Sequence, residues 1–137
     1  MQKPLSKALW ILHGTLITQN ENRDVLQAHL EIREGKIHAF HAWSTPVPSD
    51  VDTLDATGLT LTPGFIQPHI HLCQTLFRNM ADDLELLDWL SQRIWPYEAA
   101  HTAESMYLSA QLGIHELLCS GTTTLLDMAS IRHTEAV

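Results

Sequence analysis

Residues 61–72 read Leu61-Thr62-Pro63-Gly64-Phe65-Ile66-Gln67-Pro68-His69-Ile70-His71-Leu72. Pro63-Gly64 is a chain-breaking pair, and Phe65 to His71 is an apolar strand candidate that runs into two histidines. On a strand, residues i and i+2 face the same side, with Cα atoms less than about 7 Å apart. His69 and His71 so placed can converge on one cation, and neutral imidazole is a good ligand for zinc, iron or nickel. The spacing alone is weak support. With nine histidines in 137 residues, chance supplies roughly 0.6 such pairs. Pro68 cannot donate to a ladder, so that strand position must not need an N–H.

Upstream of this stretch the chain reads as short strands. Leu9 to Leu12 and Thr15 to Thr18 are β-friendly runs around Gly14, and Asn20 to Asp24 is polar and turn-like. In Val25 to Arg33, Leu26, Ala28, Leu30 and Ile32 share one face, while Gln27, His29, Glu31 and Arg33 share the other. Glu34-Gly35-Lys36 is a tight-turn signal, and Ile37 to Trp43 is the return strand of a hairpin. Ser44 to Asp50 is a loop; Val51 to Ala56 and Leu59 to Thr62 are two more short strands.

Downstream the pattern becomes helical. Leu84, Leu87, Leu90 and Ile94 fall at helical spacing, and Pro96 is expected to end or kink that helix. Thr102 can cap a second helix over about Ala103 to Cys119, with Glu104 in its first turn and Met106, Ala110, Ile114 and Leu117 on one stripe. Gly121 is placed to end it, and Thr122 to Met128 is a β-branched strand. Hairpins followed by strand, helices and strand suggest the opening of a parallel β/α array. Asp82, Asp83, Glu85 and Asp88 read most simply as a solvated acidic face near a helix start.

Sixteen acids and eight bases give a formal charge of −8, with 45% hydrophobic residues. Those values fit one ordinary globular domain and argue against disorder. An acidic surface disfavours nucleic acid or anionic lipid as a partner. Lys3 and Lys7 precede an apolar run, but Ala8 to Leu12 is shorter than the roughly 7–15 residues of a secretory core. Cys73 and Cys119 form neither a metal pair nor a disulfide framework, so a reducing, cytoplasmic setting is expected. Cys73 itself reads as a small buried residue.

The string from Leu61 to Leu72 resembles the signature of the amidohydrolase superfamily, in which a PGF-type turn and an HxH strand open a metal-dependent (β/α)8 barrel. The resemblance extends through Gln74-Thr75-Leu76-Phe77-Arg78, Asp82-Asp83-Leu84, Trp89-Leu90, Pro96, Glu98 and Gly121-Thr122-Thr123-Thr124 with Asp127. These resemble the branch holding S-adenosylhomocysteine/methylthioadenosine deaminases, guanine deaminases and s-triazine hydrolases. It implies an α/β fold: an N-terminal β-sandwich segment over 1–62, then the first βα units of an incomplete barrel over 63–137. Barrels of this kind keep their chemistry at the C-terminal ends of the strands.

The resemblance further implies a divalent metal, zinc foremost and iron second, with His69 and His71 as ligands. Gln74 would read a base edge or be an exposed loop residue. Trp89 would pack on substrate or simply on the core. Glu98 would hold ribose hydroxyls or be a solvated acid at a helix end. Asp127 reads as structural. The family's remaining ligands and its acid and base come from later strands, so no catalytic acid or base is expected in this chain. Catalytic zinc needs about three protein ligands, and His101, His115 and His133 have no family precedent as substitutes.

The implied parent activity is hydrolytic deamination of an aminated heterocycle, purine, nucleoside or triazine, by metal-activated water acting on a non-peptide C–N bond. The 137-residue chain is then expected to be an N-terminal portion, inactive alone, with a small heterocycle as ligand. A homo-oligomer or a complementing C-terminal piece would be its protein partner. The rival reading is a non-catalytic remnant whose open barrel leaves strand edges and an apolar face exposed.

Overall fold

A computed structural model describes residues 8–80, 83–130, 132 and 135. Lys3, Lys7, Asp82 and His133 lie outside the described residues. Internal contacts divide the chain into two units, Met1–Pro63 and Gly64–Val137.

In the first unit, β1 (Ala8–Ile17) is one strand and not the two runs expected around Gly14. It pairs antiparallel with β2 (Val25–Arg33), which pairs antiparallel with β3 (Lys36–His41). The β2–β3 turn places Glu34 at φ 49° and Gly35 at φ 73°, the left-handed pair a two-residue hairpin prefers. On its other edge β1 lies parallel to both β4 (Asp52–Asp55) and β5 (Thr60–Leu61), which share it end to end.

A bulge between Ile11 and Gly14 explains how β1 stays continuous. The inserted residues, with His13 at φ 60°, reset the alternation, so that Ile11 and Leu16 both reach the apolar face. That face holds Leu16, Ala28 and Leu30, flanked by Ile11, Leu26, Ile32 and Leu61. The opposite face of β2, which carries Gln27, His29, Glu31 and Arg33, is partly covered. His29 and Glu31 are buried there beside Trp10. Trp10 stacks on His41 at 4.3 Å between ring centroids. Glu31 is gripped by His41 Nε2 at 2.7 Å and by the Arg33 guanidinium.

The second unit begins with β6 (Phe65–Ile70), which pairs parallel with β7 (Thr122–Asp127). The ladder register shifts between Gln67 and Ile70, which spans Pro68, the residue with no N–H to give. A six-residue 3-10 turn, Leu72–Phe77, follows β6. The chain then enters a helix wound in three styles: α1 (Leu86–Trp89), a π turn over Leu90–Ile94, and α2 (Trp95–Ala100). Pro96 therefore distorts this helix without ending it. Its ring excludes the usual bond to the carbonyl of Gln92, which accepts from Arg93 Nη1 at 3.3 Å instead. Leu84 lies ahead of α1, so the expected stripe does not run along one helix face. Only Ile94 of the four is buried, and Leu87 is 75% exposed.

α3 (Ala103–Cys119) occupies the predicted span. Thr102 accepts from Ser105 N–H and Ser105 Oγ accepts from Thr102 N–H, a reciprocal cap that satisfies two donors at the helix start. Gly121, at φ 87°, closes the other end with its N–H on Leu118 O at 3.0 Å. Its buried face is Met106, Ser109, Ala110 and Gly113, not the larger Ile114 and Leu117. Small residues win because the 3-10 turn approaches closely. A Cβ on Gly113 would meet Leu72 and Thr75 at 2.8 Å, and Ser109 Oγ donates to Leu72 O at 2.7 Å. Among the described residues, no helix is long and apolar enough to cross a membrane.

Candidate active site

β6 stops at Ile70, so His69 sits on the strand and His71 is the first residue beyond it. Both rings lie on the same side, with centroids 5.1 Å apart and planes at 71°. His71 Nδ1 lies 2.9 Å from Met128 O. A carbonyl can only accept, so Nδ1 carries the proton and the Nε2 lone pair is left for a ligand. That is the arrangement by which an outer carbonyl orients a metal-binding imidazole.

The end of β7 holds this corner in place. Met128 N–H donates to Ile70 O at 2.7 Å, and Leu72 N–H donates to Asp127 Oδ1 at 2.9 Å. Asp127 Oδ1 thus holds this turn, while its buried Oδ2 has no hydrogen-bond partner among the described residues. The Met128 carbonyl could not have been found from sequence, because every residue carries one and only the pairing of β6 with β7 selects it.

The substrate-binding candidates occupy the next layer. Gln74 Nε2 donates to Glu98 Oε1 at 2.8 Å, and the Cys73 thiol reaches the same oxygen at 3.6 Å. Cys73 is fully buried. Burial, reinforced by the Glu98 charge, pushes its thiol up to about 12, so it stays protonated and able to donate. His101 Nε2 donates to Cys73 O at 2.7 Å, while Nδ1 faces Ser105 Oγ at 2.8 Å. Both nitrogens of His101 are therefore occupied in tying the 3-10 turn to the start of α3.

Trp89 lines a cavity of about 200 Å³ together with Gln74, Phe77, Arg93 and Tyr97. A second cavity of about 480 Å³ is lined by His71, Gln74, Arg78 and Glu116. Gln74 and Arg78 border both, so the two together lie between the His71 cavity and the Trp89 pocket. Arg78 and Glu116 form a bidentate pair at 2.7 and 2.9 Å that sequence reasoning did not anticipate. The guanidinium holds the Glu116 carboxyl below its ordinary range.

Two neutral imidazoles with one tautomer set by a carbonyl fit a zinc-class cation as part of a ligand set. His115 lies on α3 beside Cys119, at 3.7 Å from its sulfur. Among the described residues, no group of three or more His, Cys, Asp or Glu could hold a metal.

Comparison with known proteins identifies the family. Residues 60–137, more than half of the chain, match the model of the amidohydrolase family. A 5′-deoxyadenosine deaminase of Methanobrevibacter smithii is 54% identical over 81 residues, covering 58% of this chain and 19% of the relative. A 5-methylthioadenosine/S-adenosylhomocysteine deaminase of Thermococcus onnurineus is 42% identical over 119 residues, covering 86% of this chain and 27% of the relative. The chain thus spans about a fifth to a quarter of the length of these curated relatives. Among solved structures, an adenosine deaminase of Xanthomonas campestris with bound zinc superposes at a TM-score of 0.70 and 30% identity, over 91% of this chain and 29% of its own. The atrazine chlorohydrolase of Arthrobacter aurescens complexed with zinc superposes at 0.73 and 24% identity, over 87% of this chain and 28% of its own, a likeness of fold. With the histidine corner, the parallel strand pair and the match over residues 60–137 in agreement, the chain belongs to the amidohydrolase family.

Proposed function

We propose that this chain supplies the first metal-binding corner and part of the substrate pocket of a metal-dependent deaminase acting on adenosine-type compounds. The observation that carries the reading is the His71 ring. Its Nδ1–H is committed to Met128 O, and it lies 5.1 Å from the His69 ring. The names of the relatives supply the substrate class.

In this reading His69 and His71 hold a divalent cation, zinc foremost and iron second, with ligands that this chain does not bring together. When bound, such a cation lowers the pKa of a coordinated water to near 7. The chain's own residues orient what is to be attacked. Trp89 offers an aromatic wall to the purine, Gln74 sits between the histidines and that wall, and Glu98 accepts from the sugar hydroxyls. The parallel β6–β7 pair with its helical crossover is then the opening of a (β/α)8 barrel, and the five-stranded sheet part of the small β domain that accompanies it. Two imidazoles bind zinc weakly, so the 137-residue chain alone is inactive.

The test is zinc binding joined to ammonia release. The wild-type chain should bind zinc weakly. His69→Ala and His71→Ala should each lower that affinity by more than roughly tenfold. None of the three should release ammonia from adenosine or 5′-deoxyadenosine. Zinc affinity untouched by either substitution overturns the metal corner. Ammonia release by the wild-type chain, abolished in His69→Ala, overturns its incompleteness.

A further inference from the structure

We infer that Gln74 is a positioning residue for Glu98, so that selection of a hydroxyl-bearing sugar depends on Gln74 and not on Glu98 alone. This rests on the proposed function and adds a residue to it. The sequence left Gln74 as a base-edge reader or an idle loop residue; its hydrogen bond argues for a third role.

Glu98 stands in α2, a six-residue segment following a π turn, and Gln74 in the turn after the histidine strand. They are 24 residues apart, yet Gln74 Nε2 and Glu98 Oε1 are separated by 2.8 Å. A carboxylate can only accept, so the orientation of the Gln74 amide is settled by chemistry: the nitrogen must face Glu98. The Cys73 thiol, 3.6 Å away, adds a second contact to the same oxygen. With both contacts on Oε1, the carboxylate is held and, among the described residues, Oε2 is the oxygen left to accept from a ligand. Nearby, the His101 bond to Cys73 O prevents the turn from sliding along α2. The arrangement resembles the way an outer donor orients a working carboxylate, where geometry must hold within fractions of an ångström. A glutamine committed in this way cannot also turn its nitrogen freely toward a purine edge.

The experiment is equilibrium binding of adenosine and 2′,3′-dideoxyadenosine to the full chain, by calorimetry, with circular dichroism melts as a fold control. The wild type should favour adenosine by roughly tenfold, the effect of a hydrogen bond to a charged acceptor. Gln74→Met, which keeps the length and removes the donor, should shrink that preference to less than about twofold, the ratio of the two affinities being the readout whatever the change in either one. Gln74→Glu, which sets carboxylate against carboxylate, should do the same and carries the test if the methionine variant melts early. A merely structural role would weaken both nucleosides equally, and a base-edge reader would do likewise. Either result overturns the inference, as does loss of folding in both variants. A variant that discriminates as well as the wild type overturns this inference alone. A wild type that binds both nucleosides alike, or neither, overturns the sugar role of Glu98 and this inference with it.

Discussion

Two cysteines show how far one residue type diverges with environment. Cys73 is buried and Cys119 is exposed. A thiol reagent should therefore label one sulfur of the two in the folded chain, and the second only after denaturation. Cys73, raised from 9.0 to about 12, also sets an alkaline limit. Its neutral form is favoured by folding, so the associated stability is intact below pH 9 and is lost as the pH climbs through that window. Glu31 has the opposite sign. The His41 hydrogen bond, aided by Arg33 and opposed by burial, holds its carboxyl below the ordinary value of 4.5. Its contribution is present above pH 4.5 and lost as the pH falls through the lowered value. Glu31→Gln should lower the melting temperature at pH 7, and the gap to wild type should close as the pH is taken below 4.5. A gap that stays constant with pH would show that the ionised form is not what matters. The spacing of His69 and His71 suggested a one-sided pair, as strand geometry would give it, although β6 itself stops at Ile70 and His71 follows it. The tautomer of His71 was not legible in the sequence, since a backbone carbonyl 57 residues away decides it.

At the level of elements, the register of β6 against β7 depends on one glycine. A Cβ on Gly64 would lie 2.1 Å from Thr123 Oγ1 and 2.4 Å from Thr123 Cγ2. Gly64→Ala should cost roughly 1–3 kcal/mol, the usual penalty of overpacking, and Thr123→Ala in the same chain should restore only part of it, because the Thr123 Cβ that remains lies 2.7 Å away. Urea melts of the single and double variants measure the coupling directly; additive effects would mean the strands do not close there. The extents of β2 and α3 were readable from alternation, capping residues and Gly121, all local signals. Two readings of which side chains face inward went wrong. The expected leucine stripe starts ahead of α1 and leaves Leu87 exposed, and the close approach of the 3-10 turn buries Ser109 and Gly113, beside the expected Met106 and Ala110, in place of Ile114 and Leu117.

Across the molecule, the second unit leaves much apolar surface in water. Phe65, Ile66 and Leu126 on the two-stranded sheet are 59%, 70% and 60% exposed, and Leu118 on α3 is 61% exposed. A two-stranded sheet is marginal by itself, and contiguous apolar patches promote association. The 137-residue chain should therefore bind a hydrophobic dye and sediment in a concentration-dependent way. Ile66→Ser with Leu126→Ser should reduce both without lowering the melting temperature. A strictly monomeric wild type with no dye uptake would contradict this reading.

What the amino-acid order determined alone is whatever depends on short-range rules: the spans of β2 and α3, the one-sided spacing of His69 and His71, and the family signature from Leu61 to Leu72. These follow from backbone sterics and from periods of two and 3.6 residues, which need no partner to be read. Only the tertiary structure decided which donors meet which acceptors. The Met128 carbonyl on His71, Gln74 on Glu98 and the covering of His29 and Glu31 all join residues distant in sequence. Such pairings are set by how packed surfaces fit, and no local pattern encodes that fit.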